Sequence, residues 1–504
     1  MAQRPMAPER RRLFLGTGWN LASTLTALAI SVVLRPVVVQ FVGVSGYGIW
    51  VSTLAIASLA GLLGDLGASG ALTRLVAEQE GRGDTTGSAV TSSLIVGLLS
   101  GALAGLGLAA ISPWIERAIG FAGFASLLQI QAVQMPFNLG IATLLGRLQG
   151  QRNFRLLAGL TMANALGHLL LGLAFLYAGY GLVGLVSASL LSSAVGFGGA
   201  LVHARNHLTR AGWKDLKHDA AQLVPFGSML TATNALSTVM YQLDIVFLAI
   251  LVGSPAVIGT YALAIFVTRA LWIVPGSVSV TTYPTISGYA ASRDDRRVSR
   301  YLTTTLIATV AVTGSLAGAL VAFGRPLISL LFGPDASPAY EIALLLLPGT
   351  AALGSMRSIA ASITSVGRPE IGMRISALGL ALLFASLVLL VPRAAGPGAA
   401  VAVSLSFGAV AAVLLWAVRR YVGPLAEGRS GRLRVSATAS VATVSVLLCF
   451  VMAVPASPNP AELAAAVFAW AGTSTLLFLA SGGRATWGGL WKRAPVASAR
   501  GPSP

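Results

Sequence analysis

Five charged side chains inside long apolar stretches are the residues of this 504-residue chain best placed to do chemistry. A charge inside a bilayer is costly, so such residues usually face a helix-bundle interior or a water-filled cavity. Arginine suits anion binding there, because its planar guanidinium group makes paired hydrogen bonds to phosphate and keeps its charge. We expect the three arginines to bind phosphate or pyrophosphate and the two aspartates to act as gating or ion-pairing partners. The residues are Arg35, Arg269, Arg357, Asp65 and Asp244.

The three arginines differ in how readily they reach water without a cavity. Arg35 lies in the outer third of its apolar stretch and can extend towards the outer interface. Arg357 lies nearer the cytoplasmic side and can extend towards that interface. Arg269 lies near the middle of its stretch, where the side chain reaches neither surface easily. A role in a cavity is therefore best supported for Arg269.

The acidic residues and one histidine also have structural interpretations. Asp65 can cap a helix or pair with Arg74 near the inner interface. Asp244 can be a structural partner or an ion site as well as a gate. We interpret His168 as a buried histidine with satisfied hydrogen bonds, and Trp272 as a packing or interfacial residue. These interpretations stay open beside the functional ones.

The composition is typical of a membrane protein. Hydrophobic residues make up 55% of the chain and charged residues only 10%, whereas soluble proteins carry about 25% charged residues. The apolar runs are continuous, and about 20 apolar residues in a helix cross the hydrocarbon core. The sequence therefore predicts an all-α polytopic membrane protein with about 14 transmembrane helices. The predicted spans are 13–42, 47–72, 87–111, 122–146, 157–178, 182–203, 222–251, 256–287, 301–323, 339–364, 373–392, 397–418, 433–455 and 462–480.

The net charge is +18, and the positions of the basic residues indicate how the chain is oriented in the membrane. Most of the 34 Lys and Arg residues lie on the loops and tails of one side of the predicted spans, and basic loops of this kind are cytoplasmic. We therefore expect both termini in the cytoplasm. The basic loops are expected to contact the anionic head groups of the lipid bilayer, and no nucleic-acid partner is expected.

Weak self-similarity indicates an internal duplication. Asn20 and Tyr47 are 27 residues apart, and so are Asn234 and Tyr261. Glycine pairs recur in the same order in both halves, as in transporters built from repeats. We therefore expect two six-helix lobes related by the repeat, and a C-terminal helical hairpin that the repeat does not include. The expected units are a first lobe at 1–220, a second lobe at 221–420, and the hairpin with a basic cytoplasmic tail at 421–504.

No sequence motif supports catalysis. The segment from Gly179 to Gly184 fits the G-x-G-x-x-G dinucleotide pattern, but it lies in a predicted turn between two apolar spans and not after a strand. The four histidines and the single Cys449 lack metal-ligand spacing. The expected outer loops are too short to present catalytic groups. We therefore expect no catalytic residue, no metal and no cofactor.

Several motifs resemble the N-terminal signature of bacterial polysaccharide flippases of the O-antigen and exopolysaccharide type. These flippases belong to the superfamily that also contains multidrug exporters and the lipid II flippase. The resemblance covers residues 12 to about 420. The motifs that carry it are Asn20, Gly46 to Trp50, Asp65 to Gly67, Ala71 to Arg74, and Leu148 to Arg152.

The resemblance implies a transporter and not an enzyme, with its two lobes around a central cleft. It implies movement of an undecaprenyl-pyrophosphate-linked oligosaccharide from the inner to the outer leaflet of the bacterial inner membrane by alternating access. Related flippases place arginines of the first and eighth spans in the cleft, so Arg35 and Arg269 inherit a pyrophosphate-facing role. The implied partners are this lipid-linked glycan and a polysaccharide polymerase of the same pathway, and the expected state is a monomer.

Two alternatives stay open. A cation-coupled multidrug exporter of the same superfamily needs a membrane acid that binds protons or sodium, and Asp244 is the deep candidate. Some of these exporters carry an aspartate in the first helix, but no acidic residue occurs between Leu13 and Gly64. A membrane glycan polymerase or ligase needs catalytic groups on a large outer loop, which the predicted topology lacks.

Overall fold

The computed structural model describes residues 7–65, 67–82, 87–208, 235–291, 294–365, 368–422, 428–451, 454–455 and 459–481. Every regular element in these ranges is helical. Nine helical segments among the same residues are long and apolar enough to cross a membrane, and Ala235–Leu251 and Ala437–Cys449 are shorter apolar helices. The predicted all-α polytopic membrane fold is confirmed.

The chain forms two compact units, Met1–Gly259 and Thr260–Pro504, here called unit 1 and unit 2. The expected lobe boundary near residue 220 lies outside the described residues. Unit 1 contains α1 (Ala7–Gly64), α2 (Ala68–Arg82), α3 (Gly87–Ile119), α4 (Phe124–Gly150), α5 (Phe154–Tyr177), α6 (Gly181–Ala204), α7 (Ala235–Leu251) and the start of α8 (Pro255–Arg269). Unit 2 contains the end of α8, α9 (Ile273–Ala291), α10 (Asp295–Phe332), α11 (Ala339–Ser365), α12 (Pro369–Tyr421), α13 (Gly428–Val451) and α14 (Pro460–Ala480).

The first two predicted spans lie in α1, which consists of two helices separated by a sharp bend at Gly43. Gly43 has φ 71° and ψ 174°, in the left-handed region that glycine adopts without a steric cost. The second half of α1 ends at Gly64, and a new helix begins at Ala68. The prediction of an unbroken span to residue 72 was therefore wrong, because the Asp65–Gly67 turn separates the apolar helix from the more polar α2.

One other predicted span also differs in its continuity. The span predicted at 256–287 is interrupted after Arg269 by a 3₁₀ turn at Ala270–Trp272, and α9 follows this turn. The spans predicted at 373–392 and 397–418 both lie in α12, and they are separate helices there, because the backbone leaves helical geometry in a sharp bend at Ala395. Pro392 and Pro397 flank this bend, and each removes a backbone N–H that a continuous helix would use.

Small residues bring particular helices into close contact. A Cβ added to Gly101 would lie 2.8 Å from Cα of Pro136 on α4, and one added to Gly105 would overlap the carbonyl oxygen of Ala132. In the second unit, Gly314 instead faces Ala442 of α13. Gly101 and Gly314 correspond in the sequence repeat but pack against different helices, α4 and α13. In unit 2, α10 packs against both helices of the C-terminal hairpin.

This packing predicts that alanine is tolerated at one glycine of α3 and destabilises the protein at another. Gly105→Ala should lower the unfolding temperature in detergent, because overpacking against a rigid backbone costs about 1–3 kcal/mol. Gly107 is exposed and has open space around the position of an added Cβ, so Gly107→Ala is the matched control. The control should be neutral or slightly stabilising, since alanine favours the helix. Equal unfolding temperatures for both variants would contradict the close α3–α4 contact.

Candidate functional site

Two of the predicted arginines lie over the same tryptophan ring in unit 2. Arg269 is the last residue of α8, Trp272 ends the 3₁₀ turn, and Arg357 lies on α11. The Cζ atoms of Arg269 and Arg357 lie 5.7 and 4.9 Å from the centre of the Trp272 ring, and are therefore at most about 10.6 Å apart. We call these three residues the arginine cluster.

The indole of Trp272 is held by contacts on several sides. Its Nε1–H donates a hydrogen bond of 2.8 Å to the carbonyl oxygen of Thr350. Gly354 leaves room for the ring, since an added Cβ would lie only 2.7 Å from Cδ1 of Trp272. Phe407 on α12 packs against it with ring centres 5.8 Å apart. The break in the α8–α9 segment thus places a fixed aromatic surface under two cations.

The arginine cluster concentrates positive charge within apolar, membrane-length segments. All three side chains are partly buried, so water screens the two guanidinium charges less than at an open surface. The ring face attracts a cation by about 0.5–2 kcal/mol, which offsets part of the cost of holding these charges. An anion such as phosphate or pyrophosphate offsets more of it, because guanidinium groups bind it with charge-assisted hydrogen bonds.

Arg35 has a separate environment in unit 1. Its Nη1 donates a hydrogen bond of 2.7 Å to the hydroxyl oxygen of Tyr47, which is fully buried. The bend at Gly43 makes this contact possible, since the two residues belong to different halves of α1. The ring of Tyr47 packs in turn against Trp50, with ring centres 5.7 Å apart. The structure therefore pairs Arg35 with a motif residue that the sequence did not link to it.

This contact predicts a modest effect of Tyr47→Phe. The variant keeps the buried ring and removes the oxygen that accepts from Arg35, so about 1 kcal/mol of stability should be lost. Thermal unfolding in detergent measures this loss. Tyr177→Phe is the control, because Tyr177 is exposed and its ring packs against Phe41. An unfolding temperature equal to that of the wild type would contradict a stabilising role for the Arg35–Tyr47 bond.

The two predicted aspartates occupy different settings in unit 1. Asp244 is buried on α7, and its Oδ1 accepts from the backbone N–H of Ile245 at 2.8 Å. Asp65 follows the end of α1, and its Oδ1 accepts from the N–H of Gly67 at 2.9 Å. Asp65 thus stabilises the turn before α2. Arg74, the partner considered for Asp65, forms an ion pair of 2.6 Å with Glu78.

Asp65 also lines a polar cavity in unit 1, which was not predicted from the sequence. The cavity has a volume of about 480 Å³ and lies between α1, α4, α5 and α6. The interpretation of His168 was wrong, because its buried Nε2 has no hydrogen-bond partner among the described residues. Apolar side chains form most of the accessible wall, and amides and hydroxyls form most of its polar part. The principal polar side chains are Gln131, Gln134, Asn138, Asn164, His168 and Ser192.

Hydrogen bonds within the cavity wall fix several of these side chains. Gln134 Nε2 donates to Ser193 Oγ at 2.9 Å, and Ser189 Oγ lies 2.9 Å from Gln134 Oε1. Ser192 Oγ donates to the carbonyl oxygen of Asn164 at 2.7 Å. α4 and α6, and likewise α5 and α6, are therefore joined by polar contacts inside unit 1.

Helical spacing in the sequence was the signal that could have revealed this cavity. Gln131, Gln134 and Asn138 follow one another at three- and four-residue intervals, which places them on one face of α4. Asn164 and His168 have the same relation on α5. Polar residues that share a face of a membrane helix usually point to other helices or to a cavity.

Solved structures show which proteins share this fold. The lipid II flippase MurJ, in an inward closed conformation, matches with a TM-score of 0.69 at 15% identity, over 92% of this chain and 99% of that chain. A multidrug resistance transporter of the MATE family, from the MOP superfamily, matches in an inward-facing conformation with a TM-score of 0.59 at 17% identity, over 82% and 98%. The MATE transporter VcmN of Vibrio cholerae, in the bent form, gives a TM-score of 0.55 at 16% identity, over 84% and 98%.

Sequence families identify the chain more directly. No curated protein matches it. The model of a family described as "Polysaccharide biosynthesis protein" matches residues 13–290, which is more than half of the chain. With the shared fold, this match confirms the resemblance inferred from the motifs. This chain belongs to the polysaccharide biosynthesis protein family.

Proposed function

We propose that this protein is a flippase that moves an undecaprenyl-pyrophosphate-linked oligosaccharide from the inner to the outer leaflet during polysaccharide biosynthesis. The observation that carries the proposal is the arginine cluster, where Arg269 and Arg357 lie over one indole in membrane-length helices. A lipid-linked glycan of this class presents a pyrophosphate group near the membrane. Two guanidinium groups offer that group the charge and donor geometry it requires.

A transporter of this fold suits the physical problem of moving a glycolipid across a membrane. A glycan cannot cross hydrocarbon unaided, because each unsatisfied polar group costs several kcal/mol in lipid. The polyprenyl tail has no such cost and need not leave the bilayer. Transport by alternating access exposes a polar binding region to one side of the membrane and then to the other. Such a protein performs no covalent chemistry, so it needs binding residues and not catalytic ones.

The same proposal places the protein in the bacterial inner membrane with both termini in the cytoplasm. The basic residues of the predicted inner loops support this orientation. Arg35 serves as a further pyrophosphate-facing residue, and Asp65 and Asp244 serve in gating or ion pairing. The protein works as a monomer and hands its product to a polysaccharide polymerase of the same pathway.

Purified protein in proteoliposomes tests the proposal. The vesicles contain a fluorescent polyprenyl-pyrophosphate oligosaccharide, and a membrane-impermeant quencher reports how much of it has changed leaflet. We expect wild-type protein to accelerate the exchange over empty vesicles. A different result would overturn the proposal: folded wild-type protein does not move the glycolipid, but it exports a cationic dye when a proton or sodium gradient is applied. The protein would then be a drug exporter.

A further inference from the structure

The polar cavity of unit 1 contains a buried hydrogen-bond donor for which the described residues provide no acceptor. Gln131 is only 5% exposed, and its Nε2 has no hydrogen-bond partner among the described residues. It lines the cavity together with His168, whose buried Nε2 also has no such partner. A buried polar group without a partner is unfavourable for the folded protein. A ligand that accepts a hydrogen bond from Gln131 would provide that partner.

The charge of the cavity argues for an uncharged ligand. Among the described lining residues, Asp65 alone carries a formal charge, and one of its oxygens already accepts from Gly67. Arginine and lysine are absent from the same lining, so a pyrophosphate group would find no counter-charge there. A bare cation cannot accept a hydrogen bond, so it would leave the Gln131 donor without a partner.

The remaining polar groups suit a ligand rich in hydroxyls. Amide and serine side chains both donate and accept hydrogen bonds, as sugar hydroxyls do. The volume of about 480 Å³ lies within the range of about 300–1,000 Å³ found for small-molecule sites. Gln134 and Ser192 are already held by partners within the wall, so part of the site is ordered before a ligand enters.

We infer that this cavity is a subsite for an uncharged sugar residue of the transported glycan. The inference rests on the proposed function. It assigns the charged and the uncharged parts of the glycolipid to two different sites. The arginine cluster of unit 2 binds the charged pyrophosphate, whereas the amide- and hydroxyl-lined cavity of unit 1 binds a neutral sugar. Gln131 is its key donor, and loss of that donor weakens binding of the glycan without removing any charge.

A labelling experiment tests binding without requiring transport. Asn138 is exposed and lines the cavity. We would introduce Asn138→Cys into a Cys449→Ala background and follow its modification by a water-soluble maleimide in detergent. The probes are glucose, galactose, mannose, rhamnose, N-acetylglucosamine, inorganic pyrophosphate and sodium chloride. We expect at least one sugar to slow the labelling, and we expect pyrophosphate and sodium to leave it unchanged.

A transport experiment tests the role of Gln131 itself. Gln131→Met keeps the length of the side chain and removes the donor. It should raise the glycolipid concentration for half-maximal transport by about 10-fold with little change in the maximal rate, as expected for one lost hydrogen bond. Val133→Ala is the control, because Val133 is exposed on the same helix and does not line the cavity. It should leave both values unchanged.

The outcomes separate this inference from the proposed function. Protection by pyrophosphate or sodium, with no protection by sugars, would overturn the inference and identify an ion site. No protection by any probe, together with unchanged half-saturation in Gln131→Met, would show that the cavity holds only water. Failure of the wild type to move the glycolipid would refute the proposed function, and the labelling result alone would then decide whether the cavity binds sugar.

Discussion

Arg269→Ala is expected to lower the rate of glycolipid exchange by at least about 100-fold while the protein remains folded. The expectation follows from the hydrogen bonds that the variant loses. A guanidinium group can donate two hydrogen bonds to one phosphate group, and each hydrogen bond to a charged group contributes about 1.5–3 kcal/mol. A loss of about 3 kcal/mol corresponds to more than a factor of 100. Exchange in proteoliposomes, normalised to the amount of folded protein, measures the effect.

Companion variants identify the cause of that loss. Arg269→Lys keeps the charge but loses the planar pair of donors, so an intermediate loss of about 10-fold is expected. Arg393→Ala is the control, because this arginine is exposed and donates to the backbone carbonyl of Leu389. Its exchange rate should equal that of the wild type. Full activity of Arg269→Ala would remove the arginine cluster from the mechanism.

A second arginine variant tests whether the two guanidinium groups act together. If Arg269 and Arg357 hold the same anion, Arg357→Ala alone should also lower exchange. The double variant should then lose less than the product of the two single losses, because residues that share one partner are not additive. Simple multiplication of the losses would show that the two arginines act at separate places.

The apolar runs predicted the helical membrane fold, but they did not reveal where the helices break. The turn at Ala270–Trp272 contains only apolar residues, so hydropathy is uniform across it and the predicted span continues to residue 287. Gly43 is likewise one of many glycines in the sequence, and only its positive φ marks the bend. Breaks of this kind depend on tertiary packing, which overrides local preference.

The candidate residues were predicted only in part, because contacts between helices that are distant in the chain also depend on tertiary packing. A charge in an apolar run is visible in the sequence, and this identified Arg269 and Arg357. Their common position over Trp272 was not visible, because Arg357 lies on α11, far along the chain from the other two. The polar cavity was missed because amides and serines carry no charge, although the spacing of Gln131 and Gln134 places them on one helical face.

The second large effect is expected at Trp272, which carries no charge. Trp272→Leu removes the aromatic surface under both guanidinium groups and the donor to Thr350. Two lost cation–π contacts of about 1 kcal/mol each should lower exchange by about 30-fold. The variant should also unfold at a lower temperature, since part of a buried contact is lost. Trp272→Phe keeps a ring and should retain more activity.

Gly354→Ala tests whether the position of the Trp272 indole matters when its chemical structure is unchanged. The added methyl group would lie 2.7 Å from Cδ1 of Trp272, so the ring must shift although every charge and aromatic group remains. Alanine otherwise favours a helix over glycine, so a lower exchange rate would result from the displaced ring. Gly372→Ala is the control, because an added Cβ meets no neighbouring atom there. If exchange is reduced in Gly354→Ala and normal in the control, the indole must hold both arginines in place. If exchange is normal in both variants, Trp272 contributes to packing only.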